Sequence, residues 1–141
     1  MSRRILATIA SVTAALLLSG AAAGQAATTV DSVNIKAAYA VNGIDGLLVV
    51  FKTEQALPRK SSGMIRAGGA LDGQLPGSIS TSGTHKSAHC YGFIGPKSAK
   101  VGSEHKLTVD ARGTDGDVSD TATVKVISKR AAKAARKRMG C

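Results

Sequence analysis

The sequence KLTVDARGTDGDVSDTATVKV, residues 106–126, decides the fold class of this chain. Apolar and polar residues alternate over residues 106–112 and again over residues 117–126. Between them stand Asp115 and Gly116, and an Asp-Gly pair between two alternating runs is a strong short-range signal for a β-hairpin. The stretch therefore predicts two antiparallel strands, whose buried faces are formed by Leu107, Val109 and Ala111 and by Val118, Ala122, Val124 and Val126.

Three further stretches in the preceding chain predict strands. Residues 33–41 have apolar side chains at the odd positions, which indicates a half-buried strand. Residues 47–53 are mostly apolar on both faces and follow a short turn with two glycines, so these two strands should be antiparallel neighbours or meet at a tight corner between two sheets. Residues 89–94 predict a third strand, and the glycine-rich residues 64–83 predict short, irregular edge strands. Because helical periodicity is almost absent before Lys129, we expect an all-β, antiparallel sandwich over residues 28–128.

The stretch of residues 106–126 resembles the closing hairpin of bacterial immunoglobulin-like, fibronectin type III-like and cadherin-like modules. The resemblance implies an immunoglobulin-like β-sandwich as the fold. Many sandwich families share this hairpin, so the resemblance implies a fold rather than an activity. Because the chain has no Trp, two Phe and two Tyr, the core of the domain should consist mainly of Val, Ile, Leu and Ala.

The first 27 residues predict an export signal. Arg3 and Arg4 give a cationic start, an apolar stretch follows to Leu18, and residues 21–27 are mostly small. We therefore expect an N-terminal signal helix over residues 1–27 and a secreted or extracellular protein. The Sec route is preferred, and the twin-arginine route is the alternative because Ser2-Arg3-Arg4-Ile5-Leu6 matches part of that motif, with Leu6 where an aromatic residue is commoner.

The formal charge of +10 is concentrated in a short basic C-terminal tail, residues 129–141. Residues 28–128 hold 11 basic and nine acidic residues, whereas the tail is rich in Ala, holds no acid and carries Lys129, Arg130, Lys133, Arg136, Lys137 and Arg138. These residue types favour a helix, but 13 residues form only a marginal helix in isolation. Alanine is too small for a membrane-inserting face, so attraction to an anionic lipid, wall polymer, capsule or extracellular DNA would be electrostatic.

Two interpretations of the tail remain open. It binds an anionic partner of the cell envelope, or it is a solubilising terminus without a partner. Because no aromatic side chain lies among its basic residues, we expect no base stacking and no specific nucleic acid.

Cys90 and Cys141 are the two cysteines of the chain. An even pair in an exported protein favours a disulfide over two free thiols. A bridge within one chain is preferred, and a bridge between two chains remains the alternative.

Two groups of side chains are candidate metal ligands. Asp110, Asp115, Asp117 and Asp120 cluster around the hairpin, and carboxylates on a loop suit calcium. In cadherin-like modules, however, an acidic ligand follows the strand alanine by two positions, where this chain has Gly113, so a solvated turn is expected. Zinc would need convergence of His85, His89, Cys90 and His105, and we expect surface histidines instead.

The chain has no G-x-S-x-G turn and no local arrangement of Ser, His and Asp, so we expect no catalytic activity and no cofactor. The preferred hypothesis is a small exported binding or structural module at a bacterial cell surface. One alternative is a secreted cationic protein that binds nucleic acid, lipid or wall polymer through its tail. Another is a small metal-dependent hydrolase that uses His85, His89 and His105. Binding to other proteins and the oligomeric state stay open.

Overall fold

The structure, a computed structural model, describes residues 27–74, 77–81, 89–95 and 97–141. The predicted signal peptide therefore lies outside the described residues except for Ala27. The described residues form the strands and helix β1 (Ile35–Asn42), β2 (Leu47–Thr53), β3 (Ala67–Leu71), β4 (Gly77–Ser78), β5 (Ser80–Thr81), β6 (Cys90–Gly95), β7 (Glu104–Arg112), β8 (Asp117–Ile127) and α1 (Lys129–Met139). No helix in these ranges has both the length and the apolar character needed to cross a membrane.

The strands form one mixed sheet in the order β4-β3-β7-β8-β1-β2-β6-β5. The expectation of a β-rich fold is confirmed. The expectation of purely antiparallel pairing is wrong for one pair of the named strands, because β1 and β8 run parallel where Ala40 and Val41 face Val126 and Ile127. A tight hairpin enforces antiparallel pairing, whereas the first and last strands share no hairpin that would fix their relative direction. The parallel contact joins a ladder of β4, β3, β7 and β8 to a ladder of β1, β2, β6 and β5.

One short segment brings the two ends of the sheet together. β4 pairs with β3 and β5 pairs with β6, and only the buried Ile79 separates β4 from β5. The sheet therefore curls until its edges approach, which gives it a nearly barrel-like form. Across the interior, β3 comes so close to β6 that a Cβ atom on Gly69 would lie 2.5 Å from the ring of Phe93. Glycine is required at this position because the aromatic ring fills the space of a side chain.

The β7–β8 hairpin forms as predicted, and its register pairs Leu107 with Ala122 and Arg112 with Asp117. Leu107, Val109 and Ala111 are buried on one face of β7. They meet residues of the other ladder in a single core that includes Leu47, Val49, Phe51, Tyr91, Phe93, Val124 and Val126. The interior therefore combines aliphatic side chains with a small aromatic group, in which the rings of Phe51 and Tyr91 lie 5.8 Å apart.

β1 is covered on both faces rather than half-buried. A β-bulge between Ile35 and Ala37 shifts the alternation, so that Ala40 points into the main core while Tyr39 points to the opposite face. That opposite face is covered by helix α1, which buries Ala132, Ala135 and Met139 against Tyr39 and Val50. The alternation of β1 did not reveal this cover because the covering residues lie in the tail.

Helix α1 is closed at both ends by residues that the sequence places there. At its start, the hydroxyl oxygen of Ser128 accepts a hydrogen bond from the backbone N–H of Ala131 at 3.2 Å. At its end, Gly140 adopts the left-handed conformation with φ 74°, and the N–H of Cys141 donates to the carbonyl of Arg136. The Cys90–Cys141 disulfide within the chain is confirmed. It ties the end of the helix to the first residue of β6.

Candidate functional site

The most highly charged surface among the described residues is the exposed side of helix α1. All six of its basic side chains are exposed, and we call them the basic face: Lys129, Arg130, Lys133, Arg136, Lys137 and Arg138. With 3.6 residues per turn, Arg130, Lys133 and Lys137 lie on the side opposite the three buried residues. Within the described ranges, none of the six forms an ion pair with an Asp or Glu side chain. The basic face is therefore a continuous cationic surface.

The requirements of helix stability explain only part of this charge. Arg136, Lys137 and Arg138 lie in the last turn, where cations interact favourably with the helix dipole. Lys129 and Arg130 lie in the first turn, where a positive charge opposes the dipole and where no acidic residue is present. The stability of the helix therefore does not explain the two cations of its first turn.

Several contacts hold the basic face in a fixed position. An isolated helix of 11 residues is marginal in water, so its stability must come from the sheet below it. Met139 is buried against the sheet, and its carbonyl accepts a hydrogen bond from Lys52 Nζ at 2.8 Å. The disulfide follows two residues later at Cys141. The six cations are thus presented by a helix whose two buried turns and end are all attached to the sheet.

A cleft of about 510 Å³ lies between the second half of α1 and strands β1 and β2. Lys36, Lys52 and Arg138 line it together with Tyr39, and no carboxylate is among the lining residues. Burial raises the pKa of the Tyr39 phenol, and the positive charge of Arg136 partly offsets this effect. Two of these cations already have partners, because Lys36 Nζ lies 3.4 Å from Glu54 Oε2 and Lys52 Nζ donates to the Met139 carbonyl. At neutral pH the cleft also contains Arg138 and the neutral Tyr39 hydroxyl, and such groups bind phosphate or carboxylate oxygens.

Of the four aspartates considered as weak calcium ligands, two have partners within the protein and two are exposed. Both carboxylate oxygens of Asp120 accept backbone N–H groups, one from Ile35 at 2.8 Å and one from Thr121 at 2.9 Å. Asp117 lies 3.5 Å from the guanidinium of Arg112. Asp110 and Asp115 are exposed. Within the described ranges, no three His, Cys, Asp or Glu side chains form a group that could hold a metal ion.

The structure describes two of the three histidines considered for a metal-dependent hydrolase, and these two have different partners. His85 lies outside the described residues. His89 Nδ1 is 3.1 Å from the carbonyl oxygen of Glu54, and His105 contacts Asp72 and Ser103 instead. Cys90 is occupied by the disulfide. The described residues thus leave the proposed set without a common centre.

Sequence reasoning missed a cluster of Ser103, His105 and Asp72. His105 Nδ1 lies 2.6 Å from Asp72 Oδ2, and His105 Nε2 lies 2.9 Å from Ser103 Oγ. Hydrogen bonds from His105, and secondarily from the backbone N–H of Lys106, hold the pKa of Asp72 below its ordinary value. The spacing of Ser103 and His105 places two side chains on one side of an extended chain, which is a signal in the sequence. Asp72 joins them only through the pairing of β3 with β7.

The chain matches no protein-family model, no curated protein and no solved structure. Its function is therefore inferred from the arrangement of its residues.

Proposed function

We propose that this protein is a small exported module that binds an anionic polymer of the bacterial cell envelope through the basic face of α1. The observation that supports this most directly is the set of six exposed cations on a helix that is fixed to the sheet. An unfolded basic tail would lose conformational freedom when it binds, whereas a docked helix has already lost it.

The spacing of the cations favours a polymer over a single small anion. Residues three or four positions apart on a helix lie about 5–6 Å from one another, so Arg130, Lys133 and Lys137 form a line of neighbouring charges. The whole helix is about 16 Å long at 1.5 Å per residue, which exceeds the size of one phosphate or carboxylate group. A polymer with repeated negative charges can contact several of these cations at once, which makes its affinity strongly dependent on salt.

The buried side of the helix favours a polymer over a lipid bilayer. Helices that insert into a bilayer surface bury an apolar face in the lipid. In α1 the apolar side chains Ala132, Ala135 and Met139 already pack on Tyr39 and Val50. Only electrostatic attraction remains for a membrane, and the exposed side has no aromatic residue for stacking on nucleic-acid bases.

Export and the finer fold class belong to the same proposal. A disulfide is stable in an oxidising compartment, which supports the predicted signal peptide and a secreted or extracellular location. Two ladders that face each other across one core also support an immunoglobulin-like sandwich, in which the parallel contact of β1 and β8 joins the two layers.

The test compares two variants that remove the same types of charge from opposite parts of the molecule. R130Q/K133Q/K137Q neutralises the outermost line of the basic face, and K60Q/R66Q/K106Q neutralises three exposed residues associated with the other ladder. Binding of each purified protein to poly(glycerol phosphate) is measured by titration at low salt. We expect the helix variant to bind at least tenfold more weakly and the control variant to change less than about threefold.

Equal weakening in the two variants would contradict the proposal, because binding would then follow net charge and not the basic face. Anionic vesicles and single-stranded DNA serve as competing partners in the same assay. Tighter binding to vesicles or to DNA than to poly(glycerol phosphate) would replace the envelope polymer with that partner.

A further inference from the structure

In the cluster of Ser103, His105 and Asp72, the serine contacts the histidine and the histidine contacts the aspartate, as in sites that activate a serine. A serine becomes a nucleophile when a base accepts its proton and a third group orients the base. Here the Ser103 hydroxyl lies 2.9 Å from His105 Nε2, and the other ring nitrogen lies 2.6 Å from Asp72 Oδ2. Both distances are hydrogen-bond distances, so the Ser103 proton can pass to His105 and Asp72 can orient the imidazole.

The position of Asp72 is fixed by the backbone. Its N–H donates to the carbonyl of Lys106 at 2.8 Å, and its Oδ1 accepts the N–H of Lys106 at 2.8 Å. Asp72 also has a φ of 53°, in the left-handed region that Asp adopts more readily than most residues with a side chain. These contacts leave Oδ2 directed at His105 Nδ1. The carboxylate can only accept at that distance, so Nδ1 carries the proton and Nε2 of the neutral imidazole is free to accept from Ser103.

The Ser103 hydroxyl has two acceptors and one proton. Its Oγ lies 2.5 Å from the carbonyl oxygen of Lys100 as well as 2.9 Å from His105 Nε2. When the proton points to Lys100 the hydroxyl closes a turn, and when it points to His105 the oxygen is activated. The side chain of His105 is 19% exposed and Ser103 is also partly exposed, so the pair lies at the surface, where a small reagent can approach it.

We propose that Ser103 is a nucleophile that accepts an acyl group from an activated ester, with His105 as general base and Asp72 as the positioning residue. The Ser103 Oγ forms a bond to the acyl carbon, and the bond from that carbon to the leaving alcohol oxygen breaks. The proton of Ser103 passes to His105 Nε2 and then to the leaving oxygen. The products are an acyl ester on Ser103 and a free alcohol.

The backbone around Ser103 limits the reaction to good leaving groups. Stabilisation of the oxyanion by backbone donors commonly contributes a factor of about 10²–10³ per donor. The two N–H groups at the nucleophile are already used, because Gly102 donates to Val126 at 2.7 Å and Ser103 donates to Lys100 at 3.0 Å. Attack of water on the acyl ester would need the same stabilisation. The acyl group therefore accumulates on Ser103 in about one equivalent, and the protein turns over slowly.

The experiment treats the oxidised secreted protein with p-nitrophenyl acetate and, separately, with a fluorophosphonate, which forms a Ser103 oxygen to phosphorus bond and releases fluoride and a proton. Nitrophenolate release and intact mass are followed, and the modified residue is located by peptide mapping. We expect a burst of about one equivalent and a label on Ser103. S103A should abolish the burst, whereas S119A, which alters an exposed serine of β8, should keep it.

The roles of the other two residues are read from rates. H105Q should slow acylation about 10²-fold, and D72N should slow it at least tenfold. The wild-type rate should also depend on pH, and the rate of H105Q should not. A label that is absent from Ser103, or an acylation rate that is unchanged in H105Q, would overturn the proposal. The cluster would then only connect the turn after β3 to β7 by hydrogen bonds. If D72N does not fold, S103A, S119A and H105Q still decide between these outcomes.

Discussion

Removal of the Cys90–Cys141 disulfide should lower the free energy of unfolding by about 4 kcal/mol. The bridge joins residues 51 positions apart, and chain entropy assigns about 4 kcal/mol at 25 °C to the closure of a loop of that length. Single domains are stable by only about 5–15 kcal/mol, so this is a large part of the total. For a domain of this length the C90S/C141S variant should melt roughly 15 °C lower than the oxidised protein.

The loss should be greatest in helix α1. Without the bridge, the helix is held by the small contact area of Ala132, Ala135 and Met139 and by the hydrogen bond from Lys52 to Met139. Alanine side chains contribute little buried area, so the helix should detach more often than the strands separate. We expect the amides of residues 132–141 to exchange with solvent faster than those of the β7–β8 hairpin.

Urea titration and hydrogen exchange measured by mass spectrometry test both statements. S128A is the matched control, because it removes the N-terminal cap at a cost of about 1 kcal/mol and leaves the disulfide intact. A C90S/C141S variant that melted within about 3 °C of the oxidised protein, or whose helix amides kept their protection, would show that the bridge does not hold the helix.

Three further predictions concern the core and its ionisable groups. G69A should lower the free energy of unfolding by about 1–3 kcal/mol because its Cβ would lie against the ring of Phe93. Urea titration of a double-mutant cycle with F93L should show a smaller loss for G69A in the F93L background. Burial raises the pKa of the Tyr39 and Tyr91 phenols above the ordinary tyrosine value of 10.0, so these phenols ionise at lower pH in the unfolded chain. The free energy of unfolding should therefore decline as pH rises above 10.0, and an equally steep decline in Y39F/Y91F would exclude this cause. The pKa of Asp72 is lowered, chiefly by its hydrogen bond to His105, so stability present above pH 3.8 should be lost as pH falls below it, and D72N should show a shallower acid limb in thermal melts across that range.

The strands were accessible to sequence reasoning where turn chemistry and alternation agree. In the β7–β8 hairpin, the turn at Asp115 and Gly116 separates two alternating runs, and the observed register follows. The strands β1 and β2 were equally clear because a short glycine-containing turn separates them. Local patterns determine such hairpins because both strands and their connection are adjacent in the chain.

Long-range contacts account for what the sequence could not predict. The parallel pairing of β1 with β8 joins the first strand to the last, and no local turn specifies it. The tail alone predicts a marginal helix, and its docking depends on Tyr39 and Val50, which lie far away in the chain. The disulfide was predictable from two cysteines, but its role in fixing the basic face required the position of β6.

In the candidate sites, too, the sequence reveals residues that are neighbours in the chain but not residues that meet through long-range contacts. The six cations of the basic face are contiguous in sequence, so their charge was evident before their orientation was known. Asp72 and His105 are separated by 33 positions, and they meet because Leu71 pairs with Leu107. A search for a local catalytic motif cannot find a cluster that only strand pairing assembles.

The salt dependence of affinity shows whether the proposed binding surface is the basic face of α1. The dissociation constant for poly(glycerol phosphate) is measured from 50 to 300 mM salt for the wild type and for R130Q/K133Q/K137Q. If six cations each contact one charge of a flexible polymer, the logarithm of the association constant should fall against the logarithm of the salt concentration with a slope near −4, and the variant should show a slope near −2. The same slope for both proteins would contradict the claim.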